Sequence, residues 1–206
     1  MRRRLCALMM ILALSLAACG GGQEERGAEE MMLEARSKYL EMSACSGHMD
    51  VTADYGRRVY GYGVDFSWAK DGETVLTLTA PENVAGAAAH INGGETALEY
   101  DGTMLETGPL NSAGLAPIDA LPALLDYARE GFLAECVLEE WDGVSLLHVT
   151  CRDPEAVPGE GTEAQLWFVP ETSALYRAEV SDDGATVLQC SFPSFSMTAQ
   201  TAAPGE

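Results

Sequence analysis

The sequence predicts an α+β fold: one large curved antiparallel sheet of about 10–11 strands, an unclosed half-barrel, with two helices covering its concave face. Three observations lead there. Segments of alternating apolar and polar residues recur from residue 48 to residue 196, several joined by Asp-Gly or Asn-Gly-Gly turns. Only two stretches, at 28–42 and from about 119 to 132, carry apolar residues at helical spacing. The chain has 206 residues, 47% of them hydrophobic, which suits one domain with a sizeable core and excludes a disordered chain.

Residues 1–18 read as a signal peptide. Arg2, Arg3 and Arg4 precede an apolar run from Leu5 to Leu16, the length of a secretory core and too short to span a membrane. The run ends in Leu16-Ala17-Ala18-Cys19, which resembles the lipobox of bacterial lipoproteins. That resemblance implies a diacylglycerol on the Cys19 thiol, cleavage before it, and often a further acyl chain such as palmitate on the new amine. Each buried methylene adds about 0.8 kcal/mol, so two or more chains make a firm anchor. Residues 19–27 then form a lipidated cysteine and a tether that is flexible by composition. No later stretch approaches 18 apolar residues.

The first helix is expected over 28–42, with Met32, Ala35, Tyr39 and Met42 on one face. Met49, Val51, Ala53 and Tyr55 then alternate with polar residues as a half-buried strand. Tyr60, Tyr62, Val64, Phe66 and Trp68 make the next strand an aromatic ladder on one face, with Gly61 and Gly63 as bending points. Asp71-Gly72 turns into a strand over Thr74–Ala80, and short strands follow at about 86–92, 95–100 and 103–107. The second helix is expected to begin near Asp119 as its cap, with Pro122 in the first turn and Gly131 at the end. Strands resume at about 134–141, 144–151, 163–169, 174–181 and 185–196. The domain thus covers 28–198, leaving 199–206 as a tail.

This order, with the Leu78-Thr79-Ala80-Pro81-Glu82-Asn83-Val84-Ala85-Gly86 segment, the Leu98–Gly102 hairpin and the Pro117–Phe132 helix, resembles the LolA/LolB superfamily of periplasmic lipoprotein carriers. Within it the chain is most similar to lipid-anchored members of Gram-positive spore formers, of the germination-lipoprotein type. The resemblance implies a hydrophobic cavity inside an unclosed barrel, with helices as its lid. It also implies either an acyl-chain cargo or, in the germination type, a partner cell-wall amidase. A lipobox departs from the soluble carrier, and a tethered protein does not ferry cargo far. The expected cavity residues are Tyr60, Tyr62, Phe66, Trp68, Leu76 and Leu78 from the sheet and Leu121, Leu125 and Phe132 from the lid.

Outside the signal peptide and Cys19, four thiols remain: Cys45, Cys136, Cys151 and Cys190. Export permits disulfides. The Asp142-Gly143 hairpin places Cys136 opposite Val149 if the loop has two residues, or opposite Cys151 if it has four. Two alternatives stand: bridges 136–151 and 45–190, or free buried thiols. The cysteines lack CxxC spacing and His48, His90 and His148 are scattered, so no metal and no cofactor is expected.

No GxSxG elbow, HExxH, P-loop or strand-borne GxGxxG occurs, and adjacent acids such as Glu139/Glu140 point to opposite strand faces, so no enzyme is expected. Trp141 and Trp167 are candidates for an exposed partner patch. Without residues 1–18 the chain carries 9 basic against 32 acidic residues, a formal charge of −23. That excludes a nucleic-acid partner, holds the body off an anionic leaflet and steers basic proteins toward it. The expected function is therefore a membrane-anchored, extracytoplasmic envelope module that binds a protein partner. The alternative is a carrier or sensor of lipid or acylated protein.

Overall fold

The computed structural model describes residues 27–109 and 114–199. Cys19, the signal segment and most of the tail lie outside the described residues. Helix α1 (Ala28–Glu41) leads into strands β1 (Met42–Asp54), β2 (Val59–Ala69), β3 (Thr74–Ala80), β4 (Ala88–Asn92), β5 (Glu95–Tyr100) and β6 (Thr103–Glu106). Helix α2 (Pro117–Glu130) follows, and then β7 (Leu133–Trp141), β8 (Val144–Arg152), β9 (Thr162–Phe168), β10 (Leu175–Asp182) and β11 (Ala185–Ala199). The expected α+β half-barrel is what forms: one 11-stranded antiparallel sheet and two helices.

The strand order, β6-β5-β4-β3-β2-β1-β11-β10-β9-β8-β7, is two meanders joined back to back by the β1–β11 pair. The chain reaches one edge of the sheet at β6 and restarts at the other with β7. The segment between them, α2, must therefore cross the concave face, and its apolar side holds it there. Ala120, Leu121, Leu124, Leu125 and Ala128 are fully buried. In α1, Met32, Ala35 and Tyr39 are buried as their spacing predicts, Glu29 and Glu30 sit in the first turn, and Lys38 in the last, a favourable arrangement for the helix dipole.

Two details of α2 differ from expectation. It begins at Pro117, with Ala116 as an uncapped N-cap, so Asp119 lies inside the first turn and is buried. Proline at the first position already has the helical φ and lacks only an N–H that would be unpaired anyway. Consequently Pro122 lies in the helix interior, where it has no N–H to offer the carbonyl of Ile118.

Two strand glycines allow close approaches of neighbouring strands beside register irregularities. A Cβ on Gly47 of β1 would stand 2.1 Å from the Ser194 carbonyl oxygen, beside an irregularity in the β1–β11 register. A Cβ on Gly63 would stand 2.6 Å from Thr79 Oγ1, next to a register shift between β2 and β3. Gly61, also expected to mark a bend, faces open space.

The helices cannot cover the whole sheet. Eleven strands spaced about 4.8 Å apart span roughly 48 Å, whereas two helices each about 10 Å wide cover roughly 20 Å. Helix α1 packs chiefly on β7 and β8, and α2 on β9 and β1 and against α1. The concave face of β2–β5 is left largely without a helix above it.

Candidate functional site

The uncovered stretch is an apolar groove of about 420 Å³. Its floor and walls are Tyr62 and Val64 of β2, Leu76 and Leu78 of β3, Ala87–Ala89 at β4, Leu98, Glu99 and Tyr100 of β5, and Pro117 and Ile118 at the start of α2. The volume falls within the range of small-molecule sites, about 300–1,000 Å³. Period-two alternation explains most of the lining: Tyr62, Val64, Leu76 and Leu78 point to the concave side, as do Phe66 and Trp68 further along β2. The turn after β3 folds back tightly, with the Gly86 N–H donating to the Leu78 carbonyl and the Leu78 N–H to the Ala87 carbonyl, both at 2.8 Å. Leu105 of β6 pairs opposite Leu98 and is 64% exposed, so apolar surface continues to the sheet edge.

The structure divides the expected cavity residues into three groups. Tyr62, Leu76 and Leu78 line the groove. Phe66, Trp68, Leu121 and Leu125 belong to the packed core beneath the helices. Phe66 meets Phe192 and Phe195 with ring centroids 6.1 and 5.7 Å apart, and the Arg129 guanidinium lies 4.2 Å from the centroid of Trp68. Tyr60 and Phe132 are exposed. Tyr60 stands at the lip of the groove, its ring stacked on Tyr62 at 6.4 Å. Phe132 follows the helix instead of lying on it, because α2 ends at Glu130 with the Gly131 N–H bonded to the Tyr127 carbonyl. The lid contributes Pro117 and Ile118, one turn earlier than the residues expected.

Sequence reasoning missed the β4–β5 wall, although Thr96, Leu98 and Tyr100 continue the same alternation. It also missed a basic pair, Arg57 and Arg58, in the turn before β2. The histidines have carboxylate neighbours: His48 with Asp65 across the β1–β2 pair and Asp50 on its own strand, His90 with Glu73 and Glu99, and His148 with Glu139. These contacts are separate from one another, and no group suited to hold a metal ion occurs among the described residues.

The four cysteines are free thiols. Cys136 does face Val149, as a two-residue turn requires, which leaves Cys151 a diagonal neighbour. Diagonal neighbours stand about 7–8 Å apart, their Cβ atoms somewhat closer, against about 3.5–4.5 Å between Cβ atoms in a disulfide. Cys190 pairs with Val51, six residues along β1 from Cys45 and so roughly 20 Å away. Neither expected bridge fits this register. Burial pushes Cys45 and Cys190 up to about 12 and Cys151 up to about 11.

Of the expected partner patch, Trp167 is buried, stacked on His148 at 4.3 Å, while Trp141 lies edge-on to it and more open. The Arg177 guanidinium covers the Trp141 ring at 4.7 Å. Among the described residues, no helix is long and apolar enough to cross a membrane.

The fold and site define an unclosed antiparallel half-barrel with an open apolar groove. No family model matches the sequence, and no curated protein matches it. Solved structures do. An uncharacterized conserved protein from Thermus thermophilus matches 84% of this chain and 89% of its own at 9% identity and a TM-score of 0.49. The LolA superfamily protein NE2245 from Nitrosomonas europaea matches 85% and 96%, at 12% identity and a TM-score of 0.42. A chain from the structure of the CwlD amidase of Clostridioides difficile in complex with the GerS lipoprotein matches over 85% and 99%, at 14% identity and a TM-score of 0.41.

Proposed function

We propose that the protein is an extracytoplasmic lipoprotein, anchored through Cys19, that binds an apolar chain in the groove: the acyl chain of a lipid or of an acylated protein. The observation that carries this reading is the 420 Å³ groove itself, lined by apolar side chains where a fully covered half-barrel would have packed core. Leaving Leu98 and Leu105 in water is unfavourable by about 25 cal/mol per Å² of apolar surface, and a bound chain removes that surface from water. The protein acts by holding its ligand and has no catalytic role in this reading. Its lipid keeps it at the membrane while residues 19–27 give it reach.

A second reading is favoured by one observation, the formal charge of −23. Such a body attracts a basic extracytoplasmic protein such as a cell-wall hydrolase, whereas acyl binding requires no such field. The groove shifts the balance toward a chain ligand, because its dimensions suit one and the acidic surface alone does not define a docking geometry.

Native mass spectrometry of the full chain, extracted from membranes in mild detergent, tests both. The expected result is a co-purifying lipid of discrete mass, lost in a Leu78→Asp variant that still folds. A wild-type protein free of lipid but carrying a stoichiometric protein partner would replace the first reading with the second.

A further inference from the structure

We infer that Arg57 and Arg58 bind the anionic headgroup of an amphiphile whose acyl chain lies in the groove, so that the site selects anionic lipids. This inference rests on the chain-binding reading above and gives the ligand a chemical class.

Most basic residues of this acidic chain are engaged within the fold. Among the described residues, Arg36 is held by the carbonyls of Ala128 and Gly131, Lys38 by Glu34, and Lys70 by the Leu40 carbonyl. Arg129 is held by the Tyr39 carbonyl and Asp126, Arg152 by Glu163, and Arg177 by Glu179. Arg57 and Arg58 differ. Both are exposed, and among the described residues neither guanidinium has a carboxylate or carbonyl partner. The one side-chain contact is Arg58 Nη1 donating to the Tyr60 hydroxyl at 3.4 Å.

That contact connects Arg58 to the groove. Tyr60 stacks on Tyr62, with ring planes 17° apart, and Tyr62 is part of the lining. Tyr55, in the same turn, packs against Tyr60 at 6.2 Å and donates its hydroxyl to the Leu115 carbonyl at 3.2 Å, just before α2. The turn is itself well held. The Tyr55 N–H donates to the Arg58 carbonyl at 3.0 Å, the Arg57 N–H to the Tyr55 carbonyl at 2.8 Å, and the Gly56 N–H to Asp54 Oδ1 at 2.7 Å. Gly56 adopts φ +75°, a conformation that favours glycine. Arg58 thus reaches the lip of the apolar groove from a fixed turn, with Arg57 its exposed neighbour in that turn.

The surrounding charge makes their placement selective. A body at −23 repels anions over most of its surface, so an anionic ligand needs a local site that reverses the field. Asp54 already accepts the Gly56 N–H, and Glu99 on the far wall is paired with His90. Guanidinium pairs match phosphate, sulfate and carboxylate oxygens through two-point hydrogen bonds. The fitting ligand is an amphiphile with its tail between β2 and β5 and its anionic head against residues 57 and 58.

The test loads the full chain, delipidated in nonionic detergent, with an equimolar mixture of lysophosphatidic acid, lysophosphatidylcholine and monoacylglycerol of one acyl length, and reads bound masses by native mass spectrometry. Wild type should carry the anionic lipid in about tenfold excess, shrinking as salt is raised. The Arg57→Gln/Arg58→Gln variant should bind as much lipid in total with no preference. Equal occupancy in wild type, or a preference that survives in the variant, overturns the inference and leaves the groove reading intact. Absence of all three lipids from both proteins overturns the groove reading as well. Two further arms separate other sources. Inorganic phosphate alone should not compete, and a variant defect seen only in cosedimentation with anionic vesicles would make the pair a membrane contact and overturn the inference.

Discussion

The guanidinium of Arg129 lies 4.2 Å from the centroid of the Trp68 ring, joining the last turn of α2 to the end of β2. The same side chain donates Nε to the Tyr39 carbonyl of α1 at 3.2 Å and pairs Nη1 with Asp126 at 3.4 Å. One cation therefore fastens both helices to the sheet at the end remote from the groove, and this is why the aromatic ladder is core at Trp68 and open at Tyr60. Arg129→Ala should destabilise the fold by about 1–3 kcal/mol in urea unfolding. A double-mutant cycle with Trp68→Ala should return a coupling of about 0.5–2 kcal/mol. Arg129→Lys should recover little of it, since a planar group is needed for stacking. Additive effects would show that the two side chains are merely neighbours.

Leu121 and Leu78, alike in the apolar pattern of the sequence, occupy different environments, and the difference is measurable as stability. Leu121 is fully buried in the core, whereas Leu78 lines the groove and is half-buried. Leu121→Ala should cost about 2–5 kcal/mol, because the cavity it leaves is closed. Leu78→Ala should cost well under half as much in the lipid-free protein, since one side of Leu78 already lacks packing partners. Adding ligand should widen the gap between wild type and Leu78→Ala. Equal costs for the two substitutions would mean that the groove is packed as tightly as the core.

The thiols should differ in accessibility. A thiol at about 12 is ionised to about one part in ten thousand at pH 8, so Cys45 and Cys190 are inert in the folded state, and Cys151, at about 11, nearly so. Cys136 is half-buried and raised less, by burial and by the nearby Glu29 carboxylate. A thiol reagent should label Cys136 first and reach the other three only at the rate of unfolding. Mapping of the modified peptides checks the order, and rapid labelling of Cys190 would contradict the packing around it.

The fold was legible because its elements repeat a simple physical pattern. Alternation together with Asp-Gly and Asn-Gly-Gly turns located every strand, although β1 starts at Met42, ahead of the alternation that begins at residue 48, and the structure takes the two-residue alternative at Asp142-Gly143, with Cys136 against Val149. The groove was only partly legible. Alternation reveals which face of β2 and β3 is apolar, but not which part of that face a helix covers, since coverage depends on where α2 lands when it crosses from β6 to β7. Phe66 and Leu78 therefore look alike in sequence and differ in the fold. Phe132 continued a helical spacing past Gly131, where the backbone leaves the helix. Arg57 and Arg58 carried no periodic signal; their significance comes from the lack of a carboxylate partner, which only the folded neighbours define.

His48 offers a pH-dependent readout on the face opposite the core. Its Nδ1 lies 2.7 Å from Asp65 Oδ1 across the β1–β2 pair, and its Nε2 lies 3.5 Å from Asp50 Oδ1. The hydrogen bond to Asp65 raises the imidazole above its ordinary value; burial opposes it, and the charges of Asp50 and Asp65 add to the rise. A histidine raised on folding stabilises the protein fully below its unfolded value of about 6.5, and that contribution is lost as pH rises through the higher folded value. The pair is solvent-exposed, so screening keeps the effect below about 1 kcal/mol. The His48 ring resonances should titrate above the unfolded value by NMR, and Asp65→Asn should bring the midpoint down. The stability difference between wild type and Asp65→Asn should be larger at pH 5.5 than at pH 8.5. The opposite ordering would mean that the Asp65 carboxylate acts mainly on some group other than His48.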